Sequence, residues 1–299
     1  MHYAQLKRGR MLAIKNILFP IDFSQRCCGA APFVRAMALQ FGARITLMSV
    51  ISPFWPSASS GDLSGSLVVD MDELKRDLEM RLEGAFVPDF AGLAVDRVAE
   101  IGDPAEVITR YAHTQGADLI MMPTHGYGPF RSLLLGSVTA KVLHDSHCPV
   151  WTATHVEDPP ALHHVAGRNI LCAVDATPKS SPLMEWAAQY AKVTGGALRM
   201  VHVISGIQGW PERQLDREFE ETLRAQARET IDKLQNAVGV KTPLCVAVGE
   251  IAGAVREEAQ RHNSDLILIG RGILHETMGR LRTHSHAIIR EAPCPVLSV

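Results

Sequence analysis

Two rhythms take turns along this chain. Asn16–Ile21 (NILFPI) is a short apolar run, the pattern of a buried strand. It stops at Asp22-Phe23-Ser24, where Ser24 is placed to N-cap a helix. In that helix Ala30, Phe33, Val34, Met37, Ala38 and Phe41 recur at helical spacing, and Gly42 ends it. Arg44–Ile51 reads as a second strand, followed by a Pro/Ser/Gly-rich stretch (SPFWPSASSGDLSGS) with no period. Asp70–Phe86 is charged and helical, with Leu74, Leu78 and Leu82 on one stripe. Leu93–Ile101 alternates like a strand. Asp103-Pro104 opens a helix whose apolar face is Val107, Ile108, Tyr111 and Ala112. Leu119–Met122 is again an apolar strand. A polar, Gly-containing loop starts at Pro123, a helix start is marked by Gly136-Ser137, and a last strand follows Cys148-Pro149.

Strands and helices alternating in this way predict an α/β domain with a parallel sheet. The pattern then restarts after HVEDPPALHHVAGR. NILCAV (169–174) echoes NILFPI, and Asp175 falls where Asp22 fell. LRMVHVI (198–204) echoes ITLMSVI (45–51), and Trp210-Pro211 echoes Trp55-Pro56. GEIAGAVREEAQRHNSDLILIG (249–270) echoes GDPAEVITRYAHTQGADLIMMP (102–123), and Cys294-Pro295-Val296 echoes Cys148-Pro149-Val150. The offset is constant within each block and changes only in loops, so the chain is an internal duplication. The expected division is a loose tail over 1–13, a first domain over 14–155, a linker over 156–168 and a second domain over 169–299.

Composition adds a few limits. The 299 residues suit two domains, and 46% hydrophobic with 21% charged residues is ordinary for a globular protein. A net charge of −2 gives no electrostatic reason to expect nucleic acid or an anionic membrane as partner. No apolar run reaches the roughly 18 residues of a membrane span, and the basic start has no apolar core like that of a secretory signal. The six cysteines do not repeat like a disulfide framework, which points to a reducing, cytoplasmic setting.

The chemistry concentrates in Asp118–Val150. A loop between a strand and a helix N-terminus, with small residues at both ends, suits phosphate, because the first helical N–H groups lack partners within the helix. Gly126 and Gly136 allow close backbone approach, and Ser137 adds a hydroxyl at a positive dipole end. Blander readings stand beside this one. Gly126 and Gly136-Ser137 are also a turn and a cap, and Asp22 and Asp175 are also strand-end turn residues. His144, His147 and Cys148 suit a helix end as well as a metal, and His275, His284 and His286 read as surface or interface histidines. Cys27-Cys28 is a redox pair or merely two neighbours.

Each half resembles a universal stress protein domain. ATP-binding members of that family carry a Gly, two residues, a Gly, nine residues, then Gly-Ser or Gly-Thr. Gly126, nine residues and Gly136-Ser137-Val138 match the larger part of this, and Asp22 and Cys148-Pro149-Val150 are similar to the family as well. The resemblance runs from Ile14 to Val299. It implies two tandem open five-stranded parallel sheets, Rossmann-like, of strand order 3-2-1-4-5, packed as a pseudo-dimer through the final strands 150–154 and 296–299. It implies ATP, with Mg as accompanying ion, bound in the first domain. Pro20, Ile21 and Asp22 would lie under adenine and ribose, with Val50 offering backbone to the base. Met122 and Pro123 would flank the ribose, and Gly126, Gly136, Ser137 and Val138 would cradle the phosphates. Arg131 either reaches the γ-phosphate or faces solvent, and His125 is placed to orient a water.

Two departures bear on this. The family's first Gly is Pro123, which has no N–H to offer. In the second half Gly270-Arg271-Gly272 is one residue shorter, and Arg282-Thr283 replaces Gly136-Ser137. An arginine there either closes the site or itself meets a different anion. No Walker A sequence and no G-x-S-x-G is present, so an enzyme would be at most a slow ATPase. The expected role is a nucleotide-dependent regulator in the stress response. The alternatives are a nucleotide-free interaction scaffold and slow ATP hydrolysis, and pairing of whole chains as a homodimer is compatible with either.

Overall fold

The computed structural model describes residues 12–53, 70–124, 135–153, 167–205, 217–271 and 281–299. The first half runs β1 (Asn16–Pro20), α1 (Gln25–Phe41), β2 (Arg44–Ile51), α2 (Met71–Gly84), β3 (Val95–Ile101), α3 (Pro104–Thr114), β4 (Leu119–Pro123), α4 (Ser137–Asp145) and β5 (Val150–Ala153). The second repeats it as β6 (Asn169–Ala173), α5 (Ser181–Thr194), β7 (Ala197–Ile204), α6 (Arg217–Ala237), β8 (Leu244–Val248), α7 (Ile251–Arg261), β9 (Leu266–Ile269), α8 (Leu281–Glu291) and β10 (Val296–Ser298).

The strands form one sheet in the order β3-β2-β1-β4-β5-β10-β9-β6-β7-β8. Within each half every pairing is parallel and the order is 3-2-1-4-5, as expected. The halves join antiparallel through β5 and β10, with Val296 opposite Thr152, Leu297 opposite Trp151 and Ser298 opposite Val150. The two expected five-stranded sheets are therefore continuous through their last strands.

Period-2 alternation puts successive side chains on opposite faces. Ile17 and Phe19 pack with α1 and α2, while Leu18 packs with α3 and α4. Each face has one apolar cluster, and both clusters draw residues from both halves. One extra device holds the N-terminal edge of the sheet. Asp118 Oδ2 accepts the N–H groups of Lys15 and Asn16 at 2.7 and 3.0 Å, and Asp265 does the same for Arg168 and Asn169 at 2.9 and 3.0 Å.

Helix ends follow their sequence signals with one exception. Asp70 accepts from Asp72 and Glu73 N–H, and Asp103 from Glu106 N–H, so α2 and α3 start on carboxylate caps. Gly42 ends α1 in the left-handed conformation, at φ +60°. Ser24 stands at the N-cap of α1, yet its hydroxyl makes no capping bond. It points instead at the Cys27 sulfur, 3.7 Å away. On α2, Leu78 and Leu82 are buried, whereas Leu74, one turn earlier, is largely exposed.

At the seam, Trp151 is buried and meets the Phe33 ring at 5.1 Å. Tyr190 of α5 crosses to Phe41 of α1, with ring centroids 5.9 Å apart. Trp151→Ala should cost about 3–5 kcal/mol of unfolding free energy, the range for a deleted core aromatic, measured by urea denaturation with circular dichroism. Ser298 Oγ is buried at the same seam and has no hydrogen-bond partner among the described residues. Removing an unsatisfied buried hydroxyl relieves its desolvation cost, so Ser298→Ala should raise the melting temperature.

Candidate functional site

Parallel strands share one C-terminal edge, and a 3-2-1-4-5 order makes β1 and β4 diverge there. The connection from β1 leads through α1 to β2, and that from β4 through α4 to β5. Such a divergence opens a crevice where ligands of open α/β sheets bind. Most of the residues expected at the site arrive at this edge. Pro20 ends β1, with Ile21 and Asp22 just beyond it. Val50 lies near the end of β2, and Met122 and Pro123 end β4. Gly136 caps α4, and Ser137 and Val138 are its first two residues. Val50, Met122, Leu135 and Val138 share one face of the sheet, while Ile21 packs on the other. His125, Gly126 and Arg131 lie outside the described residues.

The start of α4 is tied to the end of β4 by two bonds. Gly136 N–H donates to Thr124 O at 2.9 Å, and the buried Thr139 hydroxyl donates to Pro123 O at 3.2 Å. Gly136 brings no side chain to the cap, so the amides of the first turn of α4 have no capping side chain from the residue that precedes them. Ser137 is exposed beside them. A glycine-capped helix start tied to the end of a parallel strand fits a phosphate chain. Pro123, which has no N–H to offer, contributes its carbonyl to this framework. A third tie comes from α3, where Asp103 accepts from Lys141 Nζ of α4 at 3.1 Å. The Glu106 N–H and the Lys141 ammonium hold the Asp103 carboxyl below its ordinary range. The tie is thus complete at neutral pH and is lost as acid brings the carboxyl through that lowered pKa.

Asp22 is more than a turn residue, though it is that too. Its Oδ1 accepts the Ser24 N–H at 3.0 Å and the Cys27 thiol at 3.1 Å. The next residue, Phe23, has φ +60°, a conformation that a bulky side chain adopts at a cost. The Arg81 guanidinium lies over its ring, 4.2 Å from the centroid. The chain therefore turns sharply at the end of β1 with the aspartate held in place. Sequence reasoning missed Cys27 as a partner of Asp22; the signal was a cysteine in the first turn of the helix that Asp22 precedes. Its thiol is pushed up to about 12, by burial first and by the Asp22 charge second. Cys28 is exposed, so the vicinal pair divides between core and solvent.

The second half keeps the edge but not its chemistry. The Asp175 N–H donates to Ser180 Oγ at 3.0 Å, so the pattern around Asp22 is not repeated. The His202 ring contacts Val174 O at 2.9 Å, where β2 carries Ser49. Helix α8 already includes Leu281, so Arg282 lies inside the helix, whereas Gly136 stands at the cap of α4. The side chains of Arg282 and Thr283, like His275 altogether, fall outside the description. Of the histidines weighed as metal ligands, His144 meets Asp145, and His147 lies against His113 with ring centroids 5.1 Å apart.

Comparison with known proteins agrees with this duplicated architecture. The sequence model of the universal stress protein family matches residues 13–153 and again 167–299. A universal stress protein of Mycobacterium tuberculosis is 27% identical over 292 residues, covering 96% of both chains. A shorter one from Thermus aquaticus is 35% identical over 139 residues, covering 46% of this chain and 96% of its own. A crystal structure of a universal stress protein from Archaeoglobus fulgidus shares the fold, with a TM-score of 0.65, 23% identity and 95% of each chain covered.

A buried thiol with so high a pKa is a poor nucleophile. Iodoacetamide at about pH 8 should therefore label Cys28 in the native protein and reach Cys27 only after unfolding, as read by peptide mass spectrometry. The sign for stability follows from the same shift. The Cys27 contribution is present below its ordinary pKa of 9.0 and is lost as pH climbs toward about 12.

Proposed function

This chain belongs to the universal stress protein family, and from that premise we propose that its first half binds ATP and that the bound state serves as a regulatory signal in the stress response. The observation that carries the reading is the glycine cap of α4, Gly136, tied to the end of β4, beside the end of β1 that Asp22 follows. Asp22, with Pro20, Ile21 and Val50, forms the nucleoside end of the site. Met122 and Pro123 form its middle, and Gly136, Ser137 and Val138 its phosphate end, completed by His125, Gly126 and Arg131 from the loop. Phosphates gain there from the first-turn amides and the positive end of the helix dipole. A magnesium ion would offset part of their charge.

The second half contributes by packing. Arg282 inside α8 and the altered bonding around Asp175 favour a partner domain that has given up this ligand. No described helix is long and apolar enough to cross a membrane, and the proposed place of action is the cytoplasm.

The test is direct. Purified protein is denatured and the supernatant is assayed for released nucleotide by chromatography, beside Gly136→Arg. The wild type should release ATP and the variant none, because a long side chain at the cap fills the space the backbone leaves for phosphate. A wild type that releases no nucleotide, and shows no ATP heat in calorimetry, would leave the interaction-scaffold reading in its place. Phosphate release on incubation with Mg·ATP would identify a slow ATPase instead of a switch.

A further inference from the structure

The loop after β9 no longer matches a phosphate loop, yet its first arginine reaches across the seam. Arg271 follows Gly270 as Thr124 follows Pro123 in the first half. The backbone roles of the two are the same. Thr124 N–H donates to Ala153 O at 3.1 Å, and Arg271 N–H donates to Val299 O at 3.0 Å. The side chains part company. The Thr124 hydroxyl returns to Ala153 O at 3.0 Å, within its own half. The Arg271 guanidinium enters the first half and forks over two carbonyls. Nη1 donates to Ser146 O and Nη2 to Cys148 O, each at 2.7 Å.

Those carbonyls belong to the far end of the helix that starts at Gly136. Ser146 is the C-cap of α4, and its hydroxyl donates to Cys148 O at 2.9 Å. The Cys148 carbonyl thus receives two donors, Ser146 Oγ and Arg271 Nη2. A cation at a helix C-terminus is also favoured by the dipole. Two short bonds from a planar fork fix direction as well as distance, which a lysine ammonium does not do. At nine residues, α4 is only about 13 Å long, so its ends move together.

We propose that Arg271 is a positioning residue supplied by the second half, holding the helix whose opposite end receives the phosphates. The inference rests on the ATP reading above for its ligand, but the clamp itself is a property of α4. It gives the second half a role in the first half's site. Because coupling between sites is reciprocal in free energy, ATP at the start of α4 should also tighten the second half around Arg271.

The experiment uses the full chain with Arg271→Met, Arg271→Lys and, as a control distant from the fork, Arg256→Met. Amide hydrogen exchange without ligand comes first. Arg271→Met should speed exchange of the α4 amides between Val142 and Ser146 by about tenfold, the equivalent of about 1.4 kcal/mol for lost charge-assisted bonds. Arg271→Lys should recover part of that protection, and Arg256→Met should change nothing in α4. ATP calorimetry follows. Affinity should fall by about tenfold in the methionine variant and by less in the lysine variant. In the wild type, ATP should slow exchange at the Arg271 and Val299 amides, and this effect should vanish in Arg271→Met. If Arg271→Met does not fold, the lysine variant is read alone, with its smaller change in the same directions. Unaltered exchange in α4 overturns the clamp whatever the protein binds. ATP affinity equal to wild type in both Arg271 variants overturns its coupling to the site. A wild type with no ATP affinity but a fast-exchanging α4 in Arg271→Met sinks the ATP reading, and the ligand role with it, while keeping the clamp.

Discussion

The pairing of β5 with β10 is the constraint on which the rest depends. All four residues of β5 are buried, and so are all three of β10. Left at the edge of a five-stranded sheet, either strand would present unpaired N–H and C=O groups along an apolar ribbon, the arrangement that invites uncontrolled association. Antiparallel pairing of the two removes both edges at once. It also carries both apolar layers across the join, so Trp151 and Phe33 on one side and the Arg271 fork with the end of α4 on the other are consequences of the same contact. Duplication on one chain guarantees the partner at high effective concentration, without any need for a second molecule.

A joined sheet has two C-terminal edges but does not need two ligands. The halves agree where the sheet itself must be held: Asp118 and Asp265 each accept two amides from the strand beside them. They differ where a ligand would sit. Asp22 is bonded to Cys27 and Ser24, while Asp175 donates its amide to Ser180. Gly136 caps α4, while Arg282 is enclosed in α8. Structural demands fall on both copies, because either failing would open the seam. A ligand's demands need fall on one only, and the other is free to spend its loop on something else.

Strand and helix order and the repeat were legible in the sequence because they rest on periodicity, which is local, and on self-similarity, which averages over many residues, while the joining of the last strands came only with the family resemblance. The helix start at Asp103-Pro104 and the helix end at Gly42 were legible for the same local reason. What did not show was any bond between residues distant in sequence. Asp118 reaches back to Lys15, and Arg271 reaches to Ser146, and no window along the chain contains both partners. Ser24 failed for a subtler reason. Its type and position were right for a cap, but Asp22 had already taken the Ser24 amide and a thiol lay within reach of its hydroxyl.

The pair Asp22 and Cys27 shows how such hidden bonds shape a site. A carboxylate at a strand end is normally kept in place by water and backbone, both of which yield to a ligand. Here a buried thiol holds one oxygen, and burial keeps that thiol protonated and therefore a donor. The positive φ of Phe23 adds a stiff turn beneath it, steadied by Arg81. An aspartate so fixed has little freedom left to lose to any ligand of the crevice. The opposite end of the crevice is fixed by the same logic with other atoms, through the ties of Gly136 and Thr139 to β4. These fixed ends set the distance that any ligand of the crevice must span.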